Sequence, residues 1–211
     1  MKLVGMLDSP YVRRVAISLQ LLGLRFEHQS LSVFRTFTQF QQINPVVMAP
    51  TLILDGGKVL IDSTLILQYA EAVAHGRSLM PADRHELQQA LRIIGLALAA
   101  CEKSRQLIYE RRLRPPEKLH EPWVARVTGQ LLAAHAALEE EVAGRPLAAT
   151  SSTITQAGVS TAVAWCFTQQ MLPDDVPAAQ YPSLAAFSAQ AETLPEFRAA
   201  PYGESTYRAG G

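Results

Sequence analysis

The sequence predicts a small α/β unit followed by an all-helical unit. Short apolar and β-branched runs alternate with helical spacing in the first third of the chain, and no strand pattern follows residue 76. The 211 residues suit one or two domains. With 48% hydrophobic and 18% charged residues, the composition excludes an extended disordered chain.

Charge and hydropathy argue against nucleic-acid and membrane partners. Nineteen basic and nineteen acidic residues give zero formal net charge, so the chain lacks the excess of positive charge that is typical of proteins that bind nucleic acids or anionic membranes. The longest apolar stretch, residues 93–101, is well short of the ~20 residues that span a bilayer. The apolar run at residues 3–7 is shorter than the ~7–15-residue core of a signal peptide. We therefore expect a cytoplasmic protein.

The first unit is predicted to follow the order βαβαββα. A buried strand over residues 2–7 precedes a helix that starts at Pro10 and ends near Gly23. A second strand is expected over 25–31 and a short helix over 36–43. Residues 51–54 and 58–61 form a hairpin around Asp-Gly-Gly. A last helix carries Ile66, Tyr69, Ala70 and Val73. The first elements predict a parallel crossover, and the hairpin predicts an antiparallel edge.

Four further helical patterns predict the second unit. They are centred on residues 87–101, 124–138, 159–166 and 184–187, with prolines at 115–116, 173 and 195 as stop signals. The expected domains are 1–76 and 84–202, with a connection at 76–81. Residues 203–211 form a small, polar tail that we expect to be loosely held.

The segment Ser9-Pro10-Tyr11-Val12 lies between the first strand and the first helix. It resembles the C-P-Y-C motif of glutaredoxins, which have a thioredoxin-like fold, with both cysteines replaced. Disulfide exchange needs a thiolate, so it is excluded at this position. A hydroxyl at a helix N-terminus remains, where N–H groups and the helix dipole favour an anion.

Several motifs in order resemble the cytosolic glutathione transferases, specifically bacterial members with a serine-type site. The resemblance covers nearly the whole chain and rests on segments 9–15, 44–45, 49–52, 62–63 and 155–157. It implies a thioredoxin-like N-terminal domain that binds glutathione and an all-helical C-terminal domain. It also implies a homodimer.

Ser9 is the expected catalytic residue. By the resemblance its hydroxyl donates a hydrogen bond to the glutathione sulfur, a thiol with an ordinary pKa of about 8.5, and so favours the thiolate. From the residues alone, a helix N-cap is the favoured interpretation of a serine before Pro10. The two roles are compatible.

The remaining glutathione contacts are expected at three places. The resemblance implies a cis Ala49–Pro50 bond that turns the Ala49 backbone toward the cysteinyl part, although X–Pro bonds are mostly trans. It also implies that Ser63 binds the γ-glutamyl carboxylate and that the charge of Asp62 offsets the γ-glutamyl ammonium. In the alternative interpretation, Ser63 is only the N-cap of the next helix and Asp62 is a favourable charge near the positive end of the helix dipole. Arg35 and Gln39 are candidates for the glycine carboxylate, or are simply solvated.

The electrophile pocket is expected between the domains, with Met6, Tyr11, residues 98–105 and Trp165 as candidates. Apolar residues at helical spacing are usually core, and Tyr11 fits either role. The five histidines are scattered and none pairs at metal-ligand spacing, so we expect no metal.

The segment Thr155-Gln156-Ala157-Gly158 departs from the family's capping box, because Gly158 stands where an aspartate is usual. A glycine in the first helical turn costs up to about 1 kcal/mol relative to alanine. We therefore expect a Gly158→Asp variant to be more stable.

The sequence as a whole predicts an enzyme of detoxification type, a glutathione transferase that conjugates glutathione to small electrophiles. Glutathione-dependent peroxide reduction or isomerisation is an alternative. A non-catalytic interaction protein that retains the fold is another.

Overall fold

The computed structural model describes residues 1–208, which form two compact units. One unit contains Met1–Met80 together with residues 193–208, and the other is Pro81–Glu192. None of the helices in the described chain combines the length and apolarity that crossing a membrane requires.

The first unit has the predicted element order. Its elements are β1 (Lys2–Val4), α1 (Pro10–Leu21), β2 (Glu27–Gln29), α2 (Phe37–Ile43), β3 (Thr51–Ile53), β4 (Val59–Leu60) and α3 (Ser63–Val73). The observed strands are shorter than the apolar runs that predicted them. The thioredoxin-like arrangement expected from the sequence is confirmed.

The four strands form one mixed sheet in the order β2-β1-β3-β4. β1 is parallel to β2 and antiparallel to β3, and β3 is antiparallel to β4. Leu3 lies opposite both His28 and Leu52, and Leu3 and Leu52 are fully buried. The predicted crossover and antiparallel edge are therefore both present. The loops that leave β1 and enter β3 consequently lie side by side.

The second unit is all-helical, as predicted. Its helices are α4 (Arg84–Arg112), α5 (Glu121–Gly144), α6 (Gln156–Met171) and α7 (Pro182–Ala191), with short 3₁₀ turns at Pro116–Lys118 and Ala178–Gln180. α4 packs against α5 and α6, and α7 packs against α5 and α6. Asp83 caps α4 by accepting hydrogen bonds from the backbone N–H groups of His85 and Glu86, at 2.9 and 3.0 Å.

A last helix, α8 (Pro195–Ala199), returns to the first unit and differs from the predicted domain boundary. Arg13 Nε donates a 2.8 Å hydrogen bond to the Ala200 carbonyl, and the Arg13 guanidinium lies 5.7 Å from the centroid of the buried Phe197 ring. Gln20 also bonds the Glu196 carbonyl at 3.0 Å. The sequence assigned residues 195–200 to the second domain. These contacts attach them to α1 of the first unit instead.

His135 is a neutral histidine in the core of the second unit. It is fully buried, and its Nδ1 lies 3.1 Å from the Leu131 carbonyl oxygen, so Nδ1 carries the proton. The rings of Trp165 and Tyr181 lie 5.8 Å from its ring, centroid to centroid. Burial lowers the His135 pKa to about 4. The neutral imidazole is therefore the form that this ring cluster favours.

His135 is expected to make stability fall in acid. Its folded-state pKa is below the unfolded value of about 6.5, so its contribution is complete above pH 6.5 and is lost as pH falls toward 4. Urea unfolding at pH 7.5 and 4.5 should show wild type losing about 2–3 kcal/mol more than His135→Leu. A leucine at the exposed His75 should retain the wild-type difference. Parallel losses in wild type and His135→Leu would refute this account.

Gly158 reverses the stability expectation from the sequence. Thr155 caps α6 as predicted, with its Oγ1 accepting from the Gly158 N–H at 3.5 Å. A Cβ at Gly158 would lie only 2.9 Å from Ile154 Cγ1 and 3.3 Å from the Phe187 ring. Position 158 is also buried, so an aspartate there would place its carboxylate against apolar groups. Close packing therefore favours glycine at position 158 and argues against the expected stabilisation by aspartate.

We therefore expect Gly158→Asp, and to a lesser extent Gly158→Ala, to destabilise the second unit by about 1–3 kcal/mol through overpacking. Gly129, in the exposed middle of α5 with no atom near its Cβ position, is the matched control. Gly129→Ala should instead raise stability by up to about 1 kcal/mol. Thermal unfolding checks both signs. A higher midpoint for Gly158→Asp would restore the original expectation.

Candidate functional site

Ser9 occupies the N-cap position of α1, but its side chain does not cap the helix. Its backbone is extended, with φ −74° and ψ 122°, and its hydroxyl makes no hydrogen bond to the first turn of α1. Pro10 follows at the first helical position, where no N–H is needed. Ser9 is half-buried. The Ser9 hydroxyl therefore does not serve as the helix cap, although the sequence alone favoured that role.

Gly5 lies where three segments of the first unit meet. It follows β1 with φ +136°, a backbone conformation that L-residues rarely adopt. A Cβ at this position would lie 2.6 Å from Val12 Cγ2 and 3.1 Å from Ala49 Cβ. The end of β1, the first turn of α1 and the loop before β3 therefore meet at a point where no side chain fits.

The loop before β3 is held by an internal hydrogen-bond network. Asn44 is 4% exposed, and its Nδ2 donates to Thr51 Oγ1 at 2.9 Å. Thr51 Oγ1 in turn donates to the Met48 carbonyl at 2.7 Å, and Asn44 Oδ1 accepts from the Val46 N–H at 3.0 Å. The Ala49–Pro50 bond within this loop is cis, which confirms the expectation.

Asp62 and Ser63 have different capping roles from those of the alternative interpretation, in which Ser63 was the N-cap. Asp62, not Ser63, is the N-cap of α3, and its Oδ1 accepts from the N–H groups of Thr64 and Leu65 at 2.8 and 3.2 Å. Ser63 is the first helical residue and is 2% exposed. Its Oγ accepts a 3.3 Å hydrogen bond from Arg14 Nη1. The Ser63 hydroxyl is therefore free of any capping role.

Arg35 lies close to the loop that follows β1, whereas Gln39 lies on the exposed surface of α2. The Nη2 of Arg35 is 3.5 Å from the sulfur of Met6, a residue that is 8% exposed. The same nitrogen forms a 2.7 Å ion pair with Glu204. Of the two candidates for the glycine carboxylate, Arg35 is thus the one next to the β1–α1 loop.

The described part of the C-terminal tail, residues 203–208, lies along β2. The Ser30 hydroxyl donates to the Glu204 carbonyl at 3.0 Å, and the Tyr207 N–H donates to His28 Nδ1 at 2.9 Å. The Tyr207 ring stacks on Phe26 with 4.5 Å between centroids. The tail therefore reaches Arg35 through Glu204. The remainder of the predicted tail, residues 209–211, lies outside the described chain.

Asp8 adds a carboxylate next to Ser9 that the sequence analysis did not single out. Burial is the main cause of its raised pKa, and the negative charge of Glu204 acts in the same direction. The Ser9 backbone N–H and the charge of Arg35 partly offset this shift. The tail thus changes the electrostatics of the β1–α1 loop as well as its surface.

The candidates for the electrophile pocket differ in exposure. Tyr11 is half-buried in the first turn of α1, and Met6 is buried beside Arg35. Trp165 is 6% exposed and packs its ring against those of His135 and Tyr181 in the second unit. Within 98–105, Ser104 shares a 3.0 Å hydrogen bond with Thr168. The structure accounts for Trp165 as a core residue, and its pocket role stays a prediction.

Sequence reasoning did not assign roles to Gly5, Arg14 and Asn44. A signal for Arg14 existed, because it follows Arg13 inside a helix whose neighbours are apolar, and a buried charge needs a partner. No local pattern indicated Gly5, since Val12 and Ala49 are brought near it only by the fold. Asn44 belongs to a segment that carries the family resemblance, but the resemblance did not predict its hydrogen bonds to Val46 and Thr51.

Comparisons with known proteins agree on one family. The family model for the glutathione S-transferase N-terminal domain matches residues 3–78. A zeta-class glutathione S-transferase of Euphorbia esula is 32% identical over 152 residues, which cover 69% of this chain and 66% of that protein. Glutathione S-transferase U4 of Arabidopsis thaliana is 31% identical over 90 residues, 43% of this chain. That match spans only 40% of the length of the Arabidopsis protein.

The structural comparison extends over both units. A glutathione transferase family member from Pseudomonas fluorescens Pf-5, solved with bound glutathione, is 30% identical. The alignment covers 94% of this chain and 97% of that one, with a TM-score of 0.81.

The contact at Gly5 predicts a sensitive position. Gly5→Ala should lower stability by about 1–3 kcal/mol, because the new methyl group overlaps Val12 and Ala49 and φ is positive. Gly56, in the turn between β3 and β4 with nothing near its Cβ position, is the control, and Gly56→Ala should be close to neutral. Urea unfolding measures both changes. Equal stability of the two variants would contradict this prediction, because it would show that Val12 and Ala49 can move aside with little loss of folding free energy.

Proposed function

Because the chain belongs to the glutathione transferase family, we propose that it conjugates the thiolate of glutathione to small electrophiles. The observation that carries the proposal is the Ser9 hydroxyl, which stands at the N-terminus of α1 without capping it. A hydroxyl in that position donates a hydrogen bond to sulfur, and the helix dipole favours the negative charge.

The proposed mechanism is a shift in thiol ionisation. At pH 7 a free thiol with a pKa of about 8.5 is mostly protonated. Hydrogen bonding to the thiolate lowers this pKa and increases the fraction that attacks an electrophile. Ser9 stays a hydrogen-bond donor and forms no covalent bond. The sulfur supplies the electron pair of the new S–C bond. In a substitution the leaving group departs with the electron pair of the broken bond, and in an addition the π-electron pair moves onto the electron-withdrawing group of the electrophile.

The rest of the tripeptide is proposed to lie along the same edge of the first unit. The Ala49 backbone would hold the cysteinyl part, Asp62 and Ser63 the γ-glutamyl end, and Arg35 or Gln39 the glycine carboxylate. Asp62 retains a role toward the ammonium, since its Oδ1 caps α3 while its second oxygen remains an acceptor. We propose Met6 and Tyr11 for the electrophile pocket.

We also propose that the protein is a cytoplasmic homodimer with a detoxification role. Support for self-association comes from exposed apolar side chains around α2 and the following loop, at Phe34, Phe37, Val46 and Met48. The neutral net charge does little to oppose it.

Ser9→Ala is the test of the chemistry. The variant should bind glutathione nearly as tightly as wild type, but the pKa of the bound thiol should rise. Conjugation to an activated chloroarene should fall about tenfold or more, since a hydrogen bond to a charged group is lost. The thiolate's ultraviolet absorbance against pH and the initial rate measure the two effects. Ser78→Ala, at an exposed serine that bonds Glu71, is the control.

Calorimetric titration of glutathione separates binding from chemistry. Ser63→Ala should weaken binding itself, whereas Ser9→Ala should not. A wild type that binds no glutathione would contradict the proposed function and favour an interaction role. Unchanged thiol ionisation in Ser9→Ala would remove Ser9 from the mechanism. Peroxide reduction or isomerisation without conjugation would select those alternative activities.

A further inference from the structure

Two neighbouring arginines of α1 are buried and serve different parts of the first unit. Arg13 is 1% exposed and Arg14 is 3% exposed, which is rare for guanidinium groups. Arg13 contacts the C-terminal helix through Ala200 and Phe197. Arg14 instead contacts Ser63, the first residue of α3. The two adjacent guanidinium groups therefore reach different elements, since Arg13 contacts the C-terminal helix and Arg14 contacts the start of α3.

The hydrogen bond between Arg14 and Ser63 has a defined direction. A guanidinium only donates, so the Ser63 oxygen accepts and its own proton is left for another acceptor. The N–H groups of Thr64 and Leu65 are already bonded to Asp62. The Ser63 hydroxyl is thus oriented as a donor by Arg14 at the end of α3 where the helix dipole is positive.

Burial strengthens the electrostatic effect of Arg14. A charge that is 3% exposed is weakly screened by solvent, so its field acts on nearby groups more strongly than that of a surface arginine. Both the oriented hydroxyl and this field favour a negatively charged acceptor at Ser63. A carboxylate satisfies both requirements.

We propose that Arg14 is a positioning residue that makes this site selective for a thiol peptide with a free α-carboxylate at its γ-glutamyl end. It acts through Ser63 by orienting the hydroxyl, and directly by its buried charge. The inference rests on the proposed function, because it assigns the γ-glutamyl end of glutathione to Ser63.

A pair of ligands isolates this role. Glutathione and γ-aminobutyryl-cysteinylglycine differ only in the α-carboxylate at the γ-glutamyl end, while the amine, thiol and glycine end are shared. Calorimetry on full-length wild type, Arg14→Gln, Arg14→Lys and Arg13→Gln compares the two dissociation constants. Circular dichroism and thermal unfolding report whether each variant is folded.

Wild type should prefer glutathione over the decarboxylated peptide by about tenfold or more. In Arg14→Gln the affinity for glutathione should fall about tenfold while that for the decarboxylated peptide changes less than about twofold. Arg14→Lys should recover part of the preference, because the charge returns without the same hydrogen-bond geometry. Arg13→Gln should shift both affinities by the same factor.

Equal losses for both ligands in Arg14→Gln would overturn the proposal, since a purely structural role predicts that result. Wild type that binds both peptides equally well would overturn it too. If Arg14→Gln does not fold, Arg14→Lys decides: a loss of about threefold or more that is selective for glutathione supports the proposal. An equal change, or none, overturns it. A wild type that binds neither peptide refutes the proposed function instead.

Discussion

The close approach at Gly5 is the constraint on which the first unit depends. The residue follows β1 with φ +136°, and Val12 and Ala49 occupy the space that any side chain would need. Because β1 lies beside β3 in the sheet, the loop after β1 and the loop before β3 are adjacent. The missing side chain then lets the first turn of α1 and the cis Ala49–Pro50 segment approach the end of β1 closely.

The N-termini of α1 and α3 illustrate two uses of the same helix physics. Each helix begins with N–H groups that have no partner within the helix, and each is preceded or begun by a serine. At α3 an aspartate supplies the cap, which releases Ser63 to bond a buried arginine. At α1 the proline at the first position reduces the need for a cap, and Ser9 keeps its hydroxyl. In both cases a neighbouring residue leaves the serine side chain outside the cap.

Much of the fold followed from the sequence, and the departures have physical reasons. The βαβαββα order was predictable because period-2 and period-3.6 patterns are local, and the resemblance correctly predicted the cis bond at Ala49–Pro50. The preference for a glycine at position 158 was not predictable, since Ile154 and Phe187 approach this position only when α6 and α7 pack together. Ser63 was likewise expected as a possible cap, because sequence spacing does not tell which of two adjacent polar residues has the extended backbone that a cap requires.

The sequence by itself determined the two-unit architecture, the family and the short list of candidate residues, since these depend on composition, periodicity and motif order. The tertiary structure alone decided which of them meet. Arg14 and Ser63 are 49 residues apart, and Arg13 and Ala200 are 187 apart, yet each pair shares a hydrogen bond. Two consecutive arginines look identical along the chain. Their roles separate because successive residues of a helix point about 100° apart and so encounter different elements of the folded protein.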